Sequence, residues 1–167
     1  MVEVMKRGLL FFLVFMMSLP ARGLPSEKQH IYSTWETMEM DKIASLWLIK
    51  RFVDPKATFK SYPKGATDME GIQVDTPLSQ FRRTQNLAAY ESLMKAHKIT
   101  DSSLLYIGQL VRDVELNIWG KKVLPESQGI DLVLKGVILD SGGDPQKCIE
   151  RGFLVLDALY KALETKK

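Results

Sequence analysis

Cysteine and histidine are scarce in this 167-residue chain: Cys148 stands alone, and His30 and His97 are the only imidazoles. One cysteine excludes an internal disulfide. Together the three residues supply fewer nitrogen and sulfur ligands than an ordinary zinc site uses. A Ser-His-Asp triad would have to draw on His30 or His97, and there is no Gly-rich phosphate loop, no G-x-S-x-G elbow and no H-E-x-x-H. These absences weigh against hydrolases and nucleotide enzymes. Charge of one sign is also lacking. The formal net charge is +3, and Lys6, Arg7 and Arg22 against Glu3 account for two of those charges, so the remainder is nearly neutral. A nucleic-acid binder that relies on bulk charge is therefore excluded.

No apolar run is long enough to span a bilayer comfortably. The longest, Gly8 to Leu19, has twelve residues, follows Lys6-Arg7 and precedes Pro20-Ala21-Arg22-Gly23, with small residues at the −3 and −1 positions. This pattern predicts a signal peptide over residues 1–23 cleaved after Gly23, no stable membrane span after cleavage, and a periplasmic or secreted protein. Residues 24–34 are expected to form a tail and 35–167 a single domain, since roughly 140 residues suffice for one core. With 46% hydrophobic and 26% charged residues the chain is globular in composition.

What is present is helical periodicity. Met40, Ile43, Ala44, Trp47 and Leu48 form one apolar side, and an advance of about 100° per residue centres Arg51 on it. Pro55 stops this helix. Alternation over Ala57 to Tyr62 predicts a short strand with Gly71 to Val74 as its partner, and Asp75-Thr76-Pro77 marks a turn. A helix from about Thr84 to His97 buries Leu87, Tyr90 and Met94, and His97 reads as a capping residue at its end. Asp101 is an N-cap for a helix with the stripe Leu104, Ile107, Val111 and Val114, which Glu115 flanks while Asp113 points away. Ile130, Val133, Leu134, Val137 and Ile138 predict a central helix in which Gly136 implies a close neighbour. Asp144-Pro145 opens a last helix whose stripe runs from Ile149 to Leu163, with Asp157 and Lys161 as an exposed pair and Cys148 as a small buried or half-buried thiol. The expectation is a mainly α fold, about five helices around one core with a small two-stranded β element.

The run from Asp41 to Pro55, preceded by Trp35 and Glu39, resembles the opening of the chromate-resistance protein family, found at the C-terminus of chromate-operon regulators and as free exported proteins. The resemblance extends through Leu105 to Asp113 and Glu115, then to Arg151-Gly152 and Asp157-Ala158-Leu159-Tyr160. It implies a role in chromate resistance or its regulation. Many relatives have histidines near the positions of Gln80 and Arg112, beside an acidic pair matching Asp113 and Glu115. This sequence departs at both histidine positions, so a metal is not implied for it.

An arginine on an apolar face requires a partner. One reading is a buried ion pair of Arg51 with Glu115 or Asp54. The other is a pocket in which Arg51, Arg112, Asp113 and Glu115 converge on a ligand, with Asp41, Lys42 and Trp47 around it. Arg82-Arg83, Lys50, Arg51 and Arg112 are cations able to engage a tetrahedral dianion such as chromate or sulfate, although Arg82-Arg83 also reads as a solvated loop pair. The leading expectation is an exported oxyanion- or metal-responsive binding protein supporting chromate resistance, its ligand a small oxyanion or a divalent metal. A small periplasmic enzyme, reductase or metal-assisted hydrolase, and a module that docks a membrane transporter are the alternatives; the sequence names no cofactor, and a bound metal or organic cofactor would favour the enzyme.

Overall fold

A computed structural model describes residues 30–165. The expected signal peptide lies outside these residues. The chain order is β1 (Ile31–Trp35), α1 (Met40–Leu48), a π-helical turn (Ile49–Val53), β2 (Thr58–Tyr62), β3 (Ile72–Gln73), α2 (Ala89–Ala96), α3 (Ser102–Glu115), α4 (Ser127–Asp140) and α5 (Pro145–Glu164). It is mainly α with five helices, as the periodicities predict. The sheet has three strands rather than two, in the order β2-β1-β3 with both pairings parallel. β2 and β3 do not pair with each other. Ile31 to Thr34, expected to lie in a tail, belong to the middle strand, where Tyr32, Ser33 and Thr34 are buried. Adjacency in sequence favours hairpins, whereas a parallel pairing requires a crossover, here α1. Gly71 enters β3 at φ +82° with an added Cβ placed 2.2 Å from the Ile31 carbonyl oxygen, so the close approach of β3 to β1 requires glycine.

The core is built around α1. Every residue from Met40 to Leu48 is buried, and the helix packs against α2, α3, α4 and α5. At Gly152 on α5 a Cβ would lie 2.4 Å from Ile43 Cγ2, so glycine sets the approach of α5 to α1. After Leu48 the helix widens: the Asp54 N–H donates to the Ile49 carbonyl at 2.7 Å, an i+5 bond. That wider turn breaks the 3.6-residue period. Arg51 still lies beside Trp47 on the side facing α5, as expected, but at the rim of the core, its guanidinium over the Phe153 ring and its side chain 40% exposed.

Three other expectations shift. α2 starts at Ala89 rather than near Thr84, because the Thr84 hydroxyl accepts from the Asn86 and Leu87 N–H groups and holds residues 84–87 in a turn. α4 is peripheral rather than central, burying only Ser127, Ile130 and Leu134, and a Cβ at Gly136 would meet nothing within 4 Å. Asp101 and Asp144 cap α3 and α5 as read from sequence, and Cys148 is buried. No helix among the described residues is long and apolar enough to cross a membrane.

Candidate functional site

The sequence-predicted site residues fall into three places. The first is a polar cluster centred on Arg83. Asp41, in the first turn of α1, is fully buried, and its carboxylate accepts from the Ala89 N–H at 2.7 Å and the Tyr90 N–H at 2.9 Å. It thus caps α2 from another helix, where the exposed N–H groups of a first turn favour an anion. Arg83, on the segment between β3 and α2, donates through Nη2 to Glu39 at 2.8 Å and through Nη1 to Glu115 at 3.1 Å. Its Nε lies 3.4 Å from Asp41 and its Nη2 lies 3.6 Å from Asp75. Four carboxylates therefore surround one guanidinium whose side chain is only 27% exposed. Lys42, buried alongside, donates to the Thr37 carbonyl at 2.5 Å.

Electrostatics follow from this crowding. Burial works against the charge on Arg83, but the surrounding carboxylates hold the guanidinium firmly protonated. Burial, with the charge of Asp41 second, pushes the Asp75 carboxyl up to about 7, while Arg83 and Lys42 pull the other way. Burial also raises Asp41 and Glu115 and lowers Lys42. Asp75 has φ +49°, a left-handed conformation that Asp tolerates better than most residues.

The second place joins α1 to α5. Arg51 forms a fork with Asp157, Nε to Oδ1 at 2.9 Å and Nη2 to Oδ2 at 2.8 Å, and Trp47 Nε1 donates to the same Oδ1 at 2.7 Å. The Arg51 hydrogen bond is the main reason that the Asp157 carboxyl sits below its usual range. Neither expected partner holds Arg51: Asp54 pairs with His30, and Glu115 with Arg83. Asp157 is likewise taken by Arg51 rather than paired with Lys161.

The third place is a cleft of about 780 Å³ beside α3, lined by Arg112, Asp113, Gln85, Asn86, Gln109 and Asn117 among others. Arg112 holds Glu91 through Nε at 3.0 Å and Nη2 at 2.6 Å, which leaves Nη1. Asp113 is buried, not outward-pointing. Its carboxylate accepts from Asn117 Nδ2 at 2.9 Å and from the Val123 and Leu124 N–H groups at 2.8 and 3.0 Å. Burial works to raise it, but these hydrogen bonds prevail and hold it at about 2. Asp113 is thereby committed to anchoring the α3–α4 connection.

So Asp41, Lys42 and Glu115 come together, Arg112 and Asp113 share a cleft, and Arg51 with Trp47 stands apart. Glu39, Asp75 and Arg83 complete the first cluster. Arg83 was visible as half of a loop pair, yet nothing local shows which of two adjacent arginines turns inward. Arg82, its neighbour, is exposed.

A profile of the ChrB C-terminal domain matches residues 32–163. The chain belongs to the ChrB C-terminal domain family. The match spans β1 to α5 and takes in all three clusters. Protein ChrB of Cupriavidus metallidurans is 26% identical over 147 residues, 86% of this chain and 44% of that relative. The chain thus spans less than half the length of the curated ChrB protein that it matches. No solved structure matches. Within this ChrB-family domain, Gln80 is exposed on the segment before Phe81 and Arg112 is on the cleft wall, the two positions at which the resemblance implies histidines in relatives. Among the described residues no group of three or more His, Cys, Asp or Glu side chains is placed to hold a metal ion.

Proposed function

We propose that this ChrB-family protein is an exported binding protein that supports chromate resistance by holding a small tetrahedral oxyanion in the cleft of Arg112. The observation that carries the reading is the composition of that cleft: one guanidinium with an unused Nη1, beside the carboxamides of Gln85, Asn86 and Gln109. Neutral amide N–H groups and the unused guanidinium edge are donors suited to a dianion, the charge of Arg112 being shared with Glu91 and the Asp113 carboxylate being occupied by Asn117 and two backbone N–H groups. The Arg83 cluster is less suited, because four carboxylates already surround its cation, against the one paired with Arg112, and would repel a further anion. Its part is structural. Arg83 anchors the segment that leads directly into Gln85 and Asn86, one wall of the cleft.

Calorimetric titration with chromate, sulfate and divalent cations tests this. The expected result is chromate binding that weakens at least about tenfold in Arg112→Gln, with little response to divalent cations. Chromate affinity unchanged in Arg112→Gln, or divalent binding lost on changing Asp113 and Glu115, would overturn it. Export is supported by the charged, apolar and small-residue order of residues 6–23. Its test is the N-terminal sequence of the protein recovered from cells, expected to begin at Leu24.

A further inference from the structure

Helix α4 turns an apolar face away from its own core. Opposite the buried Ser127, Ile130 and Leu134, Leu132 is 73% exposed and Leu139 80% exposed. Gly129 and Gly136 lie on that same outward side, within an arc of about 80° at 100° per residue. A Cβ at either glycine would meet nothing within 4 Å, so no neighbour in this chain explains them. Each glycine costs its helix about 1 kcal/mol relative to alanine.

The spacing indicates what covers the face. In a two-fold symmetric pair each copy offers the same patch, so large residues must meet small ones across the axis. If two α4 helices pack antiparallel with the axis at the level of residue 134, residue 132 of one copy faces residue 136 of the other, and 129 faces 139. Both leucines then meet glycines, at one and the same axis. Charge does not oppose the arrangement, since Lys135 pairs with Asp131 at 2.7 Å and Arg151 pairs with Asp140 within each copy.

We propose that α4 is the contact between two copies of this chain, Leu132 and Leu139 of each seated over Gly136 and Gly129 of the other. Glycine at these points lets the helix axes approach at the short end of the usual 8–10 Å. A stable dimer buries about 1,200 Å² or more, which two 14-residue helices do not supply alone. The dimer is accordingly of micromolar rather than nanomolar affinity.

Sedimentation velocity of the full chain under reducing conditions, from about 1 to about 100 μM, reads the association. The wild type should move from monomer toward dimer across that range. Gly136→Leu and Gly129→Leu should each weaken association at least about tenfold, with circular dichroism maintained and the melting temperature not lowered, because neither new side chain meets a neighbour and each removes a glycine from the helix. Leu132→Gly should weaken it too, and the swap Leu132→Gly with Gly136→Leu should restore it, since each copy again presents a leucine to a glycine. A monomer at every concentration would overturn the proposal. So would association that Gly136→Leu and Gly129→Leu leave unchanged, or a folded swap no stronger than its single variants.

Discussion

Arg51 and Arg83 are both arginines of the α1 neighbourhood, and they behave differently. Arg51 makes a two-bond fork with one carboxylate at the surface, side chains of both partners being about 40% exposed. Arg83 is more enclosed and meets carboxylates from the α1 entry, the β3 exit and the end of α3. A surface pair gains little because water already solvates both charges. A half-buried cluster is different: remove its central cation and several carboxylates remain together with only Lys42 near to balance them. The lesson is that an arginine's importance follows from how many chain segments it ties, not from the apolar residues beside it in sequence.

Breaking that comparison should show the difference directly. Arg83→Met should lower unfolding free energy by about 3–5 kcal/mol, measured by urea denaturation at pH 8. Asp75→Asn comes next and sharpens the origin of the effect. Because the folded-state carboxyl is raised to about 7, the native protein keeps a proton that the unfolded chain releases near 3.8, so stability falls as pH rises between those values. Asparagine imitates the protonated form and tolerates the left-handed backbone. The variant should match the wild type at pH 4 and exceed it at pH 8 by about 1–3 kcal/mol, whereas a difference independent of pH would contradict the assignment. Arg51→Met should cost least, about 1 kcal/mol, since Trp47 still holds Asp157 and the fork is exposed.

Much of the fold was legible in the sequence where the signal is local. The stripe of α1, the caps Asp101 and Asp144 and the burial of Cys148 each depend on residues within a turn or two of one another. β1 was not legible, because Ile31 to Trp35 becomes a middle strand only through two parallel partners distant in sequence. Arg51 was placed on the right face beside Trp47, but its partner was not legible, because Asp157 lies on α5, more than a hundred residues away. α4 was read as central because its apolar residues exceed one face, and sequence alone does not say whether a second face is met by the same chain. At the candidate site Asp41, Lys42 and Glu115 were identified, but Arg83, which joins them, was not singled out. Its partners span residues 39 to 115, a convergence that only the fold creates.

The central claim is that Arg83 fixes the segment walling the cleft of Arg112, and hydrogen exchange over residues 81–90 tests it most directly. Arg83→Lys retains a charge but loses the planar fork. The account predicts faster exchange of those amides in Arg83→Lys under native conditions, with the same amides unchanged in Arg51→Lys. Equal protection of the segment in wild type and Arg83→Lys, or equal loss in both variants, would contradict it.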